Sequence, residues 1–409
     1  MNSGFHNVFK ILALLFAGHF LVDVMLGIWP VYKTMMQLDL AKAGLIAGVG
    51  AFLGEGAQLI FGSLSDRGYR GVLIKLGVLL TCTNIFLAYT DSYALFFLFY
   101  SLTCLGSGAF HPCGASLTGS LTESRKSFFM TIFISGGAMG MAFSQMIFSQ
   151  SFQWFGKEIV FIALPSLIIV GLMFLIRGSA FSKEWMPASQ KPKKSFFACF
   201  RLFKHRLMTK LYFIQLCNQA VMWATIFLLP DILHTRGYEN WMAFGGGHFA
   251  LIMGSALMMV PGGWLADKYS PKIVILSSSL LGSLLFMLFL FSPPFSAPIT
   301  LVLLFVLGSL IGIINPVVIA FGYKILPNQT GMVSAFLMGM VWCLAEFIGP
   351  GGGGFLSTFF SEDAPAKALQ FFTVFFVAGT MLAMRLPQTE AAGEEVLVWT
   401  NDIIDINEK

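Results

Sequence analysis

Twelve apolar stretches, each long enough to cross a bilayer as a helix of roughly 20 residues, constrain the fold of this chain most. Only 11% of its 409 residues are charged, whereas a soluble domain carries about 25%. The pattern predicts an all-α polytopic membrane protein and excludes soluble enzymes. The predicted spans cover residues 9–31, 41–62, 72–90, 94–121, 128–150, 159–176, 211–233, 243–266, 273–291, 299–323, 332–356 and 368–384.

The distribution of basic residues predicts how these spans are oriented. Of the 25 lysines and arginines, only five fall on the side away from the N-terminus: Lys33, Lys42, Lys157, Arg236 and Lys367. Because basic loops stay in the cytoplasm, we expect a multi-pass protein of the plasma membrane with both termini cytoplasmic. That membrane is the inner membrane if the source is a bacterium. The net charge of +5 is too small in so apolar a chain to indicate a nucleic-acid partner.

A long polar stretch in the middle of the chain divides the predicted spans six and six. We expect an N-terminal six-helix bundle over residues 1–177 and a cytoplasmic central loop over 178–207. A C-terminal six-helix bundle would follow over 208–386, and an acidic cytoplasmic tail over 387–409. Paired six-helix halves are a recurrent transporter architecture, with the substrate site between the halves. The sequence therefore predicts two pseudo-symmetric bundles.

The loops after the second and eighth predicted spans repeat one motif. They read Gly62-Ser-Leu-Ser-Asp66-Arg67 and Gly263-Trp-Leu-Ala-Asp267-Lys268. Glycine at the end of a helix allows close packing, and the acidic residue can cap the next helix or pair with a nearby base. Such charge pairs can latch two halves together in one conformation. The expected latch loops contain Gly62, Asp66, Arg67, Arg70, Gly263, Asp267 and Lys268.

Few ionisable side chains lie inside the predicted spans, where their cost makes them functional candidates. His19 and Asp23 are four residues apart and share one helical face, so the imidazole can stabilise the carboxylate when its proton leaves. His111 precedes Pro112, which frees a backbone carbonyl and can bend the helix. The candidates for proton coupling are Asp23, His19, Glu55, His111 and Glu346. For each of them a purely structural hydrogen bond or packing role is the alternative.

Polar side chains in the central spans are candidates for binding a solute. Gln215 and Gln219 lie on one face of the seventh span. These amides would hydrogen-bond a solute or, alternatively, join neighbouring helices. The substrate-binding candidates are His111, Gln215, Asn218, Gln219, Asn315 and Trp223. The sequence has no metal-ligand spacing of Cys and His and no phosphate-binding loop, so we expect no metal and no cofactor.

The paired loops resemble the signature of the major facilitator superfamily, Gly-x-x-x-Asp-Arg between spans 2 and 3. A narrower resemblance, to the fosmidomycin-resistance-like branch, rests on the segments Gly18–Asp23, Phe110–Pro112 and Leu326–Ser334. The resemblance implies a twelve-helix transporter in which spans 1, 4, 7 and 10 line a cavity. It also implies export of a small molecule, driven by protons. The full signature reads Gly-x-x-x-Asp-Arg-x-Gly-Arg-Arg. In the second loop, Ser270 stands where this signature has its second glycine.

From these features we expect a secondary active transporter, not an enzyme, that exports a small organic solute in exchange for protons and works as a monomer. Two alternatives stay open: a proton-coupled nutrient importer, and a non-transporting receptor or assembly partner. Drug exporters often carry Gly-Pro-x-x-Gly-Gly in span 5, but here that span has only Gly136, Gly137 and Gly140. Buried acids without a buried Lys or Arg favour a neutral or cationic solute over an anion.

Overall fold

The computed structural model describes residues 2–122, 125–175, 181 and 196–387, and all regular elements within these ranges are helical. The prediction of an all-α polytopic chain is confirmed. In the described ranges, ten helical segments are long and apolar enough to cross a membrane, and a shorter apolar segment covers Val160–Leu175. Most of the predicted central loop and nearly all of the acidic tail lie outside the described residues.

The helices of the first half run from α1 to α7. They are α1 (Asn2–Leu26), α2 (Ile28–Met35), α3 (Leu40–Leu64), α4 (Arg70–Thr81), α5 (Tyr93–Ser120), α6 (Lys126–Phe155) and α7 (Leu164–Leu175). A 3₁₀ segment, Cys82–Tyr89, extends α4, and another, Val160–Ala163, precedes α7. Asp39 begins α3 with a side-chain cap, since its carboxylate accepts a hydrogen bond of 2.9 Å from the Lys42 backbone N–H.

The second half runs from α8 to α16. Its helices are α8 (Arg206–Thr235), α9 (Gly247–Lys268), α10 (Pro271–Phe291), α11 (Ala297–Ile325), α12 (Thr330–Ser334), α13 (Val341–Glu346), α14 (Gly353–Ser357), α15 (Ala364–Phe371) and α16 (Thr373–Met384). Helices α12 to α14 are joined by π-helical turns at Ala335–Met340 and Phe347–Gly352. The predicted eleventh span is therefore one helical path interrupted by two π-helical turns. The second of these, Phe347–Gly352, contains Pro350.

The connection between α3 and α4 depends on one glycine. Helical structure continues from Leu40 to Tyr89 with one break at Gly68. Gly68 has φ +87°, in the left-handed region where glycine carries no steric cost. In the second half, Ser270 corresponds to Tyr69, one residue after Gly68, and has φ 179°, extended backbone that any residue adopts. The missing glycine at Ser270 thus has a structural reason. The exact number of twelve crossings stays a prediction.

The two halves repeat one close helix contact. Helix α3 crosses α5 where a methyl group on Gly108 would collide with the Gly54 carbonyl oxygen. Helix α9 crosses α11 where a methyl group on Gly308 would collide with the Leu251 carbonyl oxygen. The same pairing of the second with the fourth helix path in both halves is what an internal duplication predicts. The proposed boundaries at 177, 207 and 386 stay predictions.

Helix α3 and the α13–α14 path form a V whose arms meet at one end of the bundle. On α3, Gly44 and Gly48 lie against the backbones of Pro350 and Phe347. One turn further along that path, Cys343 Sγ is 3.7 Å from the Phe52 carbonyl oxygen. Further along each arm, Gly56 on α3 and Gly339 on its partner have no neighbouring atom within 4 Å of an added methyl group, although Gly54 of α3 packs against Cys104 of α5.

The closed end of this V is called here the far end, and the end that carries the Asp66 and Asp267 loops is called the motif end. Other contacts between the halves also lie toward the far end. The His248 ring nitrogen Nε2 donates a 2.8 Å hydrogen bond to the Met141 carbonyl, joining α9 to α6. Gly245 packs against Met146 of α6. The bundle is therefore sealed at the far end and splayed at the motif end.

Candidate functional site

Three ionisable side chains from α1 and α5 meet in the first half. Asp23 Oδ2 lies 3.6 Å from Nε2 of His19, and Asp23 Oδ1 lies 3.3 Å from Nε2 of His111. His19 and Asp23 are buried, while the His111 side chain is 27% exposed. The i, i+4 pair predicted from sequence is present, and packing adds His111 to it. We call these three residues the His–Asp–His cluster.

The hydrogen bonds of the two histidines fix which ring nitrogen carries a hydrogen. His19 Nδ1 lies 2.7 Å from the Phe133 carbonyl oxygen, and His111 Nδ1 lies 2.9 Å from the Ser107 carbonyl oxygen. A carbonyl only accepts hydrogen bonds, so these contacts favour the Nδ1–H tautomer of both rings, and the Ser107 hydroxyl, 3.0 Å from His111 Nδ1, then accepts from the same N–H. In the neutral rings both Nε2 atoms then turn a lone pair toward Asp23. An ionised carboxylate has no hydrogen to offer either of them.

Helix α6 leaves room for this cluster through its glycines. A methyl group on Gly137 would collide with the His19 imidazole and the Asp23 carboxylate. Gly136 and Gly140 likewise lie against the carbonyl oxygens of Phe16 and Phe20 on α1. The three glycines noted in the fifth predicted span therefore bring α6 against α1 at the cluster, a role that their spacing alone did not indicate.

The two candidate glutamates occupy different surroundings. Glu55 is half-buried on α3 and accepts a 2.6 Å hydrogen bond from Gln58 Nε2. Glu346 at the end of α13 is 8% exposed and lines a cavity between the two halves. The two carboxylates are close enough for their charges to interact with each other and with Asp23. The five proton-coupling candidates thus form one acidic region, with the His–Asp–His cluster at one side.

The predicted substrate-binding amides lie together in the second half. Gln215 of α8 donates a hydrogen bond to the Asn315 side chain of α11, and Asn218 Nδ2 donates to the Ile311 carbonyl at 3.0 Å. Gln219 is buried on the same helix. Trp223 lines the cavity of Glu346, one helical turn further along α8. Gln215 Oε1 and Asn218 Oδ1 accept no hydrogen bond from the described residues.

The latch loops do not link the halves in this conformation. Asp267 pairs with Lys324 at 2.9 Å, and Arg70 Nη1 donates to Ser116 Oγ at 3.4 Å, each within its own half. Lys268 lies over the rings of Trp264 and Tyr269. The predicted close packing at Gly62 and Gly263 is wrong here, since an added methyl group would meet no atom within 4 Å. The splayed motif end separates these loops.

A buried ion pair at the far end was missed by the sequence reasoning. Lys33 was predicted in a loop, but α2 extends to Met35 and buries Lys33 completely. Its ammonium group pairs with Asp231 of α8 and lies 4.5 Å from the centre of the Phe227 ring. The Thr34 hydroxyl donates to the other Asp231 oxygen at 2.8 Å. Asp231 falls inside the predicted seventh span, so its charge marks it as a functional candidate in the same way as that of Asp23.

The ligand atoms of the His–Asp–His cluster lie within 4.8 Å of one another, a spacing that a metal ion also accepts. The absence of a metal site was predicted from motif spacing along the sequence. Such spacing does not detect residues that meet only through helix packing. That prediction therefore stays a prediction.

Comparison with known proteins places the chain among membrane transporters. Residues 11–350 match the family model of the Major Facilitator Superfamily. A benzoate transport protein of Acinetobacter baylyi is 23% identical over 74% of this chain and 72% of its own length. A probable nitrate/nitrite transporter of Mycobacterium tuberculosis is 27% identical over 60% of this chain and 62% of its own length.

Solved structures share the fold. A bacterial homolog of the human lysosomal transporter Spinster, in an inward-facing and unoccupied conformation, superimposes with a TM-score of 0.78. It is 16% identical, and the match covers 97% of this chain and 98% of the other. The nucleoside transporter NupG gives a TM-score of 0.71 at 17% identity, covering 93% of this chain and 99% of the other.

Proposed function

Because the chain belongs to the major facilitator superfamily and is therefore a membrane transporter and not an enzyme, we propose that it exchanges a small organic solute for protons. The exchange works by alternating access between two six-helix bundles. The proposal includes twelve crossings, both termini in the cytoplasm of a plasma-membrane protein, and a monomer as the working unit. The motif end is then the cytoplasmic end.

The observation that supports proton coupling is the hydrogen-bond geometry of the His–Asp–His cluster. With both Nδ1–H groups held by backbone carbonyls, two Nε2 lone pairs and two carboxylate oxygens face one another. These acceptors repel each other unless a proton lies between them. One proton on either imidazole, or on Asp23, converts a repulsive contact into a charge-assisted hydrogen bond. The cluster is therefore suited to hold a proton.

The surroundings of the cluster support a route for that proton. His111 is the partly exposed member of the cluster, and Glu55 lies close enough to interact electrostatically with it. In the conformation splayed at the motif end, protons would reach Asp23 by way of His111. When the far end opens instead, the other side of the membrane gains access. A proton held in one conformation and released in the other couples its gradient to the exchange.

The direction of transport is proposed as export, on the resemblance of Gly18–Asp23 and Phe110–Pro112 to the fosmidomycin-resistance-like branch. Import by proton symport is the second candidate because two relatives are named as transporters of benzoate and of nitrate or nitrite. Cells can take up such solutes as nutrients. The two directions differ in the sign of the coupling between solute and proton.

The test uses purified protein in proteoliposomes and a solute selected by thermal stabilisation from a panel of metabolites and drugs. Proton antiport predicts that solute leaves the protein's cytoplasmic side faster when the opposite side is more acidic. Asp23→Asn should reduce flux to its value without a gradient. Asp91→Asn, at an exposed acid outside the spans, is the matched control and should retain the response.

Two results would contradict the proposal. Equal flux in wild type and Asp23→Asn at every pH gradient would remove Asp23 from the coupling. Accumulation of solute on the cytoplasmic side, driven by the same gradient, would replace export with import.

A further inference from the structure

We propose that the solute of this transporter is an organic cation, an amine or quaternary ammonium compound, recognised by Glu346 and the aromatic side chains around it. The inference rests on the proposed function, because it names the substrate class of the same transporter. It concerns the part of the acidic region that lies between the halves, at Glu346.

The cavity that contains Glu346 is built from both halves of the molecule. Trp29 and Tyr100 line it from the first half, and Trp223 and Phe227 from the second. The Trp29 ring is held in place by its Nε1–H, which donates a 3.1 Å hydrogen bond to the Ala43 carbonyl. Its ring centre lies 5.5 Å from that of Tyr100. Four aromatic rings around one carboxylate form the kind of surface that attracts organic cations.

Glu346 is the buried polar group in this cavity that lacks a partner. It is 8% exposed, and it has neither a hydrogen bond nor an ion pair with any residue that the structure describes. A carboxylate at this depth in a membrane carries a large desolvation cost. The Phe227 ring, which lines the cavity, already lies 4.5 Å from the Lys33 ammonium. A second cation between Glu346 and the rings would supply the missing countercharge.

The charges of the interior disfavour an anionic solute, although two relatives are named as transporters of benzoate and of nitrate or nitrite. Lys33 is the one lysine or arginine buried within the described residues, and Asp231 neutralises it. Asp23, Glu55 and Glu346 then leave the central region acidic. An anion such as benzoate would enter without a basic partner and would be repelled by every interior carboxylate that is ionised.

The size of the cavity indicates when the cation would bind. Its volume of about 20 Å³ accommodates one water molecule but no organic solute. A ring-bearing cation therefore needs the two halves to separate at this level. The walls belong to both halves, so the site opens and closes with the exchange between conformations.

The experiment compares three probes that share one ring and differ in charge: benzyltrimethylammonium, benzyl alcohol and benzoate. Binding of each to the purified full chain in detergent is measured by thermal stabilisation over a concentration series. The wild type should bind the cation most tightly and benzoate least. Glu346→Gln should weaken cation binding by about tenfold or more and leave benzyl alcohol unchanged. Glu158→Gln, at an exposed glutamate, is the control and should match the wild type.

A second variant keeps the test decisive if Glu346→Gln does not fold. Trp223→Leu retains the carboxylate and removes one ring, and it should weaken cation binding by roughly threefold to thirtyfold. The proposal is overturned if benzoate binds as tightly as the cation, if the cation does not bind, or if it binds Glu346→Gln as well as wild type. Cation binding without proton-dependent flux would support this inference while removing the proposed function. Proton-coupled flux of another solute, without cation binding, would do the reverse.

Discussion

Single side chains in this protein are positioned by hydrogen bonds that cross between helices. Phe133 of α6 orients His19 on α1, and Ser107 orients His111 one turn away on the same helix. Lys33 is held from the opposite half, by the Asp231 carboxylate and the Phe227 ring. His19 and Lys33 thus depend on elements that are distant in sequence, whereas His111 and Glu55 are held by partners on their own helices.

The Lys33–Asp231 pair gives a prediction about stability. Asp231→Asn leaves the Lys33 ammonium buried without a countercharge, at a cost of about 3–5 kcal/mol. The double variant Lys33→Met/Asp231→Leu removes both charges and should recover most of that loss. Thermal unfolding of the purified proteins in detergent measures both effects. The single variants Lys33→Met and Asp231→Leu complete the comparison. A double variant whose loss of stability equals the sum of these two losses would show that the pair is not coupled.

Between elements, the glycines set how closely helices approach. Gly136 and Gly140 bring α6 against the backbone of α1, and Gly137 leaves space for His19 and Asp23. On the α3 face, Gly44 and Gly48 close the far end, and beyond Phe52 the helices diverge. At the motif end, Gly62 and Gly263 meet open space instead.

A substitution at Gly137 should therefore disturb proton coupling without touching a charged residue. Gly137→Ala places a methyl group against the His–Asp–His cluster, costs about 1–3 kcal/mol of strain, and should displace His19 from Asp23. The expected result is solute flux that no longer follows the pH gradient. Gly171→Ala, on α7 and outside the latch loops, introduces the same methyl group where no atom lies within 4 Å, and it is the control. Loss of coupling in both variants, or in neither, would contradict the assigned role of Gly137.

For the whole molecule, the decisive feature is that the contacts between the halves, among the residues that the structure describes, lie toward the far end. Lys33–Asp231, His248–Met141 and the Gly44–Pro350 contact all lie toward the far end. The exchange of conformations must break these contacts and form new ones at the latch loops, where Asp66 and Arg67 would then meet the other half. Their role as a latch stays a prediction for the opposite conformation.

The sequence predicts those features of this fold that depend on local patterns. Span length and the His19–Asp23 pair each follow from residues that are close in the chain. The Lys33–Asp231 pair joins residues 198 positions apart, and no periodicity along one helix reveals it. The same limit applies to His111, which a sequence can identify as a buried histidine but cannot join to Asp23. Such contacts are decided by which helix faces meet.

The most direct test of proton exchange is proton release upon solute binding. Purified protein in weakly buffered detergent is mixed with its solute, and a pH-sensitive dye follows the medium. Antiport predicts that binding the solute expels a proton, that Asp23→Asn abolishes the signal, and that Asp91→Asn preserves it. Proton uptake, no pH change, or an unchanged release from Asp23→Asn would contradict the account.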